Sequence, residues 1–464
     1  MLILLAAAAC VVAAIVLPIW GVRRAICAAL LTSLTIAPAR LLGGGSPDEQ
    51  YLVGISYPAP AVATFTILLP LATIVALARP EARRQAALVV PFLLYVAAGT
   101  AGFWQGSGPL VSGAAQVGLI ALAWIAGTGL APVMRSEFGV KLILVLVTIL
   151  AGSVLLQVVQ GVGAEDYGSR ASGLFGHPAT VGKLALPLTA MLLPQTEASS
   201  GRARRLAYAG IVMCVAMTMP TQSRANISGI LLLVLGWVVI NRTKDGRGRR
   251  YGIALVAAIA AAPYIPVVIT RFVRDPEGGE RPELLAAGLR EFAAARWTGL
   301  GPNNFVPTAQ AREIIVAVTG YPVHNAFVLA LAELGLIGCF LALVPLGYAL
   351  IKAIGGMRLR AGHVAEARAL VLLVAAVALV SWSGWGTLRY PVGQLIAFAC
   401  AVLATGVPSL REQRDRITAS RTSVPHEQDA LRGGPSGAHR TVPRDESRGE
   451  AAEPHHTARG ALSA

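Results

Sequence analysis

Three arginines and one histidine are the residues of this chain best suited to chemistry. Arg170, Arg224 and Arg389 each stand alone in a short connection between apolar runs, within 161–177, 221–226 and 383–391. Six more, Arg271, Arg274, Arg281, Arg290, Arg296 and Arg312, lie in one long connection over 271–325. A guanidinium is always charged and its planar fork matches phosphate oxygens two at a time. Several of them facing one aqueous hollow would suit a pyrophosphate. Taken singly, each arginine reads better as a helix cap or as a side chain snorkelling to the lipid interface. The three solitary ones, on connections otherwise poor in basic charge, favour a shared anionic ligand.

The long connection ends in Tyr321-Pro322-Val323-His324-Asn325, where the chain turns back into an apolar run. A neutral imidazole there could take a proton from a substrate hydroxyl. Position alone supports equally a histidine that only bonds backbone. His177, the other histidine on this side, is given no catalytic role. Glu333 lies about two turns beyond His324, inside an apolar segment. Pairing with one of the arginines is its expected role. Asn325 and Glu333 are both read as supporting residues.

Other chemistries find no footing. Gly299-Leu300-Gly301 begins like a dinucleotide loop but lacks a third glycine and a βαβ setting, and there is no P-loop lysine signature. The acids Asp275, Glu277, Glu280 and Glu283 sit in a Gly/Pro-rich turn that reads as solvated, so no metal and no cofactor are expected. Cys10, Cys27, Cys214, Cys339 and Cys400 each fall in an apolar run and read as small buried hydrophobes.

The elements that position these groups must be membrane helices. Only 14% of the 464 residues are charged and 55% are hydrophobic. A water-surrounded domain carries about a quarter charged residues. The net charge of +15 does not imply nucleic acid, because the basic residues cluster between apolar runs. Spans are expected near 2–20, 25–42, 60–78, 86–103, 110–130, 140–160, 178–194, 206–220, 226–241, 252–270, 326–350, 366–384 and 391–409. The fold class is therefore all-α, a polytopic transmembrane bundle of about 12–13 spans over residues 1–409. Residues 1–20, without a basic leader, read as a first span and not a cleaved signal.

Orientation follows from the arginines and lysines. One alternating set of loops holds Arg23 and Arg24; Arg79, Arg83 and Arg84; Arg202, Arg204 and Arg205; Arg242 to Arg250; and Lys352, Arg358 and Arg360. These loops are expected on the cytoplasmic side. The opposite set, including 271–325, is then extracytoplasmic. Within 271–325 a helix is expected from Pro282 to Trp297, with Leu285, Leu289 and Phe292 on one face, and a second piece from Ala309 to Val318. Residues 410–464, rich in Arg, Glu, Pro, Ser and His, read as a disordered cytoplasmic tail.

Four segments together resemble the O-antigen ligase and polymerase superfamily of bacterial membrane glycosyltransferases. They are Arg170-Ala171-Ser172-Gly173-Leu174-Phe175-Gly176-His177-Pro178; Thr221-Gln222-Ser223-Arg224; Arg281 leading through the loop helix to Gly299-Leu300-Gly301-Pro302-Asn303-Asn304-Phe305; and His324-Asn325 running into Ala332-Glu333-Leu334-Gly335-Leu336-Ile337-Gly338. The likeness covers about 140–409, and the earlier spans match only in hydropathy. It implies an undecaprenyl-pyrophosphate-linked oligosaccharide as donor, a glycan or lipid-glycan acceptor, and a site on the outer face of the cytoplasmic membrane. By the same resemblance Arg224 and Arg281 would hold the pyrophosphate and His324 would activate the acceptor hydroxyl. Arg170 and Arg389 would stand near the same pocket. Ligases of the family usually show twelve spans, and ligase and polymerase share these motifs. Two rival readings remain at this point: a transporter or flippase for lipid-linked saccharides, and a non-catalytic scaffold of polysaccharide assembly. The scaffold reading requires Arg224, Arg281 and His324 to diverge in space.

Overall fold

A computed structural model describes residues 21–35, 64–105, 110–161, 170–175, 177–197, 201–240, 279–358, 364–384, 386–388 and 391–409, with scattered positions over 251–273 and at 412 and 415. Every described element is a helix or a helical turn. The helices are α1 (Val22–Thr32), α2 (Thr64–Ala76), α3 (Pro80–Ala98), α4 (Leu110–Met134), α5 (Glu137–Gln160), α6 (Pro178–Leu192), α7 (Gly201–Thr218) and α8 (Arg224–Ile240). Then come α9 (Arg281–Ala294), α10 (Phe305–Ala309), α11 (Ile314–Thr319), α12 (Ala326–Arg358), α13 (Val364–Trp382) and α14 (Val392–Gly406).

Among the described residues, five stretches are long and apolar enough to cross a membrane: Pro80–Phe103, Leu110–Met134, Glu137–Gln160, Ala326–Arg358 and Val364–Trp382. The expected spans at 2–20 and 252–270 fall wholly or largely outside the described residues, as does nearly all of the expected tail. Every other expected span meets a helix. The outward faces stay apolar, with Ile67, Leu94, Leu155, Val159, Val239 and Phe340 all well exposed. That surface suits lipid and would be costly in water.

Small residues bring the helices together, as is usual where no hydrophobic drive exists between helices in lipid. The run Ala126-Gly127-Thr128-Gly129-Leu130-Ala131 of α4 is wholly buried. A side chain at Gly127 would strike the Phe398 backbone of α14, and one at Gly129 would strike Ala76 of α2. Helix α4 is thus wedged between two neighbours at near-backbone distance.

A second, smaller core lies under the long loop. Leu284 and Ala287 of α9, Phe305 and Ala309 of α10, Val316 of α11 and Val323 meet Leu329 and Ala332 of α12. The segment 279–325 is therefore a folded cap seated on the first turns of α12. Its details differ from expectation in two ways. The buried face of α9 is Leu284, Ala287, Gly288 and Glu291, while Leu289 is 49% exposed. Ala287 and Gly288 let the helix approach closely, since any side chain at 288 would press on Val323 and Val328. The second helical piece is split in two. Ala309 O accepts from both Arg312 N and Glu313 N, and Glu313 turns extended at φ −120°, ψ 108°. That turn aims the Glu313 carboxylate at Arg290, which donates from Nε and Nη2 over 2.6 Å each. Arg312 reaches the buried Glu291 at 3.3 Å.

The cap and bundle are joined at a break in α12. Gly335 lies at φ 65°, ψ −176°, a conformation essentially confined to glycine. Breaking the helix orphans backbone groups on both sides, and each must find a partner. Ala332 O and Glu333 O accept from Leu300 N (2.9 Å) and Gly301 N (2.8 Å); Leu336 N and Ile337 N donate to Arg296 O (2.9 Å) and Trp297 O (3.1 Å). The 296–301 segment therefore replaces the missing turn. Tyr95 Oη lies 2.7 Å from Thr298 O and 2.8 Å from Leu334 O, and Trp104 Nε1 donates to Thr298 O at 2.8 Å. Helix α3 and the turn after it thus fasten the clasp.

Candidate active site

The segments with solitary cations come together at one end of the bundle. Helix α5 ends there, and Gln157 holds the 170–175 loop in a three-point grip. Its Oε1 accepts from Ser172 N (2.9 Å) and Gly173 N (2.8 Å), and its Nε2 donates to Gly173 O (3.0 Å). Gly173 sits at φ 60°, and a Cβ there would press on Ser153 and Val154. The loop so fixed delivers Arg170, whose Nε donates to Thr221 O at 2.9 Å, while Ala171 N donates to Pro220 O at 3.2 Å. Arg170 therefore stands against the backbone of the turn that carries Arg224.

That turn is tight because Gln222 is left-handed, at φ 50°, ψ 26°, and because the buried Thr221 hydroxyl donates back to Thr218 O at 2.6 Å. Arg224 follows as the first residue of α8 and is half-buried. Two residues on, the fully buried Asn226 donates from Nδ2 to Ala179 O at 2.9 Å. Gly182 leaves room for it; a Cβ there would fall 2.5 Å from Asn226 Nδ2. The first turns of α6 and α8 are thereby locked side by side. His177 caps α6, its Nδ1 accepting from Ala179 N at 3.1 Å.

His324 follows the buried Val323 of the cap core, and Asn325 caps α12 by accepting from Phe327 N (3.0 Å) and Val328 N (3.1 Å). Both neighbours of His324 are thus held firmly. Its Nδ1 is buried with no hydrogen-bond partner among the described residues, and the Tyr321 ring meets its ring edge-on at 6.0 Å. The imidazole pKa is pushed down to about 4, first by burial and then by the positive charges of Arg281 and Lys183; the Pro322 backbone opposes this. Arg281, the first residue of α9, is half-buried. Arg281 and Lys183 are therefore both within electrostatic reach of His324. The histidine is neutral across the physiological range.

Lys183 is the site residue that sequence reasoning passed over. It sits in the second turn of α6, and a Cβ at Gly386 would collide with its ammonium. The same short segment carries Leu388, which packs on the cap core and whose carbonyl accepts from Gln116 Nε2 at 2.9 Å. The signal was present: the chain has four lysines, Lys141, Lys183, Lys244 and Lys352, and Lys183 lies inside an apolar helix. Arg389 lies outside the described residues. Glu333 does not pair with an arginine among the described residues. Its Oε1 lies 3.4 Å from Phe305 N. The return of 299–305 across the α12 break presents backbone donors to that carboxylate before any arginine reaches it.

An all-α polytopic membrane protein with two cations acting on a buried histidine at one end is the class these features define. Residues 209–343 match the family model described as O-antigen ligase. That segment spans Arg224, Arg281, His324, Asn325 and Glu333, and the match supports membership of the O-antigen ligase and polymerase superfamily. It supports a ligase- or polymerase-like function in general, that of a glycosyltransferase-like enzyme of the bacterial inner membrane acting on lipid-linked glycans. No curated protein matches the chain at a significant level.

Proposed function

We propose that this protein transfers or polymerises glycan from an undecaprenyl-pyrophosphate donor onto an acceptor hydroxyl at the outer face of the cytoplasmic membrane. The reading is supported by Arg170 bonded to the turn that carries Arg224 and by the positive charges of Arg281 and Lys183 acting on His324. Positive charges acting together on one site favour an anionic ligand there.

The roles then divide by chemistry. Lipid pyrophosphate is a good leaving group when its developing charge is met, which is work for Arg224 and Arg281, with Arg170 and Arg389 beside them. His324 takes the proton of the acceptor hydroxyl as that oxygen attacks the anomeric carbon. The bond from that carbon to the pyrophosphate oxygen breaks, and the electron pair leaves with the lipid pyrophosphate. Attack opposite the leaving group inverts the anomeric centre. The donor stores the energy, so the reading requires neither a metal nor a nucleotide. Asn325 and Glu333 hold the histidine loop and the cap in register.

The test is direct. Purified protein is incubated with undecaprenyl-pyrophosphate oligosaccharide, with chelator present and no nucleotide. Released undecaprenyl pyrophosphate with a longer glycan marks a polymerase; release with a capped second lipid marks a ligase. Transport of the intact lipid without bond breakage would support the flippase reading instead. A His324→Ala enzyme with full transfer would remove the general base.

A further inference from the structure

Lys183 reaches the site from within an apolar helix. Its neighbours Val181, Leu184 and Ala185 are fully buried. A protonated amine in such a run is costly and marks a functional role by default. Three observations fix where its charge acts. Its ammonium seats against Gly386. Its field is felt at His324 together with that of Arg281. The contact between Gly182 and Asn226 sets the adjoining turn of α6 against the start of α8, two residues from Arg224. The segment at Gly386 thus touches the lysine itself, and the start of α8 touches the residue beside it.

We propose that Lys183 is a further diphosphate-binding residue of the site, acting with Arg281 so that donor docking strengthens His324 as a base. The proposal rests on the reading of an undecaprenyl-diphosphate donor given above. Among the described residues, the charged and titratable groups facing His324 are Arg281 from α9, Lys183 from α6 and Tyr321 from its own loop. A diphosphate seated on the two cations offsets their repulsion of a proton on the imidazole. What burial contributes remains. The histidine is therefore a weak base in the empty site and a stronger one when the leaving group is in place, which discourages proton transfer without donor. A lysine serves here as a compact point charge, whereas the arginines supply forks.

The experiment uses the full chain in phosphatidylcholine nanodiscs, titrated with undecaprenyl diphosphate and, separately, undecaprenyl monophosphate. Loss of one charge-assisted contact predicts that Lys183→Gln binds the diphosphate about ten- to a hundredfold more weakly. Lys183→Arg should retain most of the affinity. The acid limb of kcat/KM should move to higher pH in Lys183→Gln, because a cation that repels the proton is gone. A lysine that merely braces Gly386 would lower thermal stability but leave that limb and the preference for diphosphate unchanged, and that result overturns the proposal. Should Lys183→Gln fail to fold, isotope-labelled His324 is titrated in the wild-type protein with and without undecaprenyl diphosphate. A rise in its pKa on binding supports the proposal and no change overturns it. Lysine-dependent binding without glycan transfer leaves Lys183 standing and removes the transfer reading. Transfer with unaltered binding in Lys183→Gln does the reverse. No binding of the diphosphate by the wild type removes both.

Discussion

The two ends of the bundle handle charge in opposite ways. At the end where α5 begins, Glu137 takes Lys141 at 2.8 Å and Arg202 at 3.7 Å, and Glu197 faces Arg368 at 3.9 Å. Lys352 donates to Ala404 O at 3.3 Å. These are opposite charges and dipoles placed to relieve one another. At the end where α5 finishes, about 36 Å away for 24 residues of helix, like charges are brought near one imidazole and lower its pKa. The cap's own carboxylates, Glu291 and Glu313, are engaged by Arg312 and Arg290. The first arrangement favours the fold by itself. The second fits the dianionic donor proposed above.

Breaking the contrast at its centre should have the largest effect. His324→Ala is expected to reduce glycan transfer by about a hundredfold or more, as loss of a general base does. Insertion and the melting profile should be retained, because Val323 and Asn325 still anchor the loop; the check is an initial rate with undecaprenyl-pyrophosphate oligosaccharide. The pH dependence carries the same signature. The active form of the imidazole is neutral, so kcat/KM should fall as pH drops through about 4 in the free enzyme. The same depressed pKa is linked to stability: its contribution is complete above about 6.5, the ordinary histidine value, and is lost as pH falls through the folded value near 4. His324→Asn should flatten that acid limb of the melting curve.

Arg224→Lys sharpens the comparison at a smaller magnitude. The charge survives but the two-pronged fork is lost, so donor KM should rise roughly tenfold or more. An unchanged KM would mean that Arg224 serves the turn it opens and not the donor.

How much of this was legible in the sequence depends on whether a signal is periodic or contingent. The helices were readable because twenty-residue apolar runs have few alternatives to spanning. The candidate cations were readable because an isolated arginine stands out in a connection otherwise poor in basic charge. The rotation of α9 was not. Leu285, Leu289 and Phe292 made the better apolar stripe, yet Ala287 and Gly288 won because close approach to Val323 and Val328 matters more there than side-chain size. The partner of Glu333 was equally hidden, since it depends on the 299–305 return crossing a helix break. Gly335 was visible as a residue, but the break needs the donors of 300–301 and the acceptors of 296–297, brought across about 35 residues of chain. Lys183 stood out in the sequence as a lysine inside an apolar helix, but its neighbour did not, because its contact is with distant Gly386.

The clasp offers a third way to test the contrast, through stability and not charge. Gly335→Ala places a Cβ against the Trp297 carbonyl in a conformation that L residues rarely adopt. Strain alone predicts a loss of about 1–3 kcal/mol, seen as a lower midpoint in detergent melts and faster proteolysis of 279–325. Tyr95→Phe removes only the hydroxyl between Thr298 O and Leu334 O and should cost about 1 kcal/mol. Transfer should decline in both, in proportion to the fraction of cap displaced.

The smallest effect should come from the other end. Glu197 and Arg368 lie 3.9 Å apart with side chains 29% and 20% exposed, a long and partly solvated pair. Such pairs contribute about 0–1 kcal/mol, because solvent screens what attraction survives the separation. Glu197→Gln should therefore shift the melting midpoint slightly and leave donor KM and the pH profile where they were. The pair relieves charge that would otherwise be tolerated in water, and the proposed transfer assigns it no role. Were Glu197→Gln instead to alter donor KM as strongly as Arg224→Lys, charge at the two ends would be coupled through α6 or α13, and the division of labour between the ends would be the wrong description.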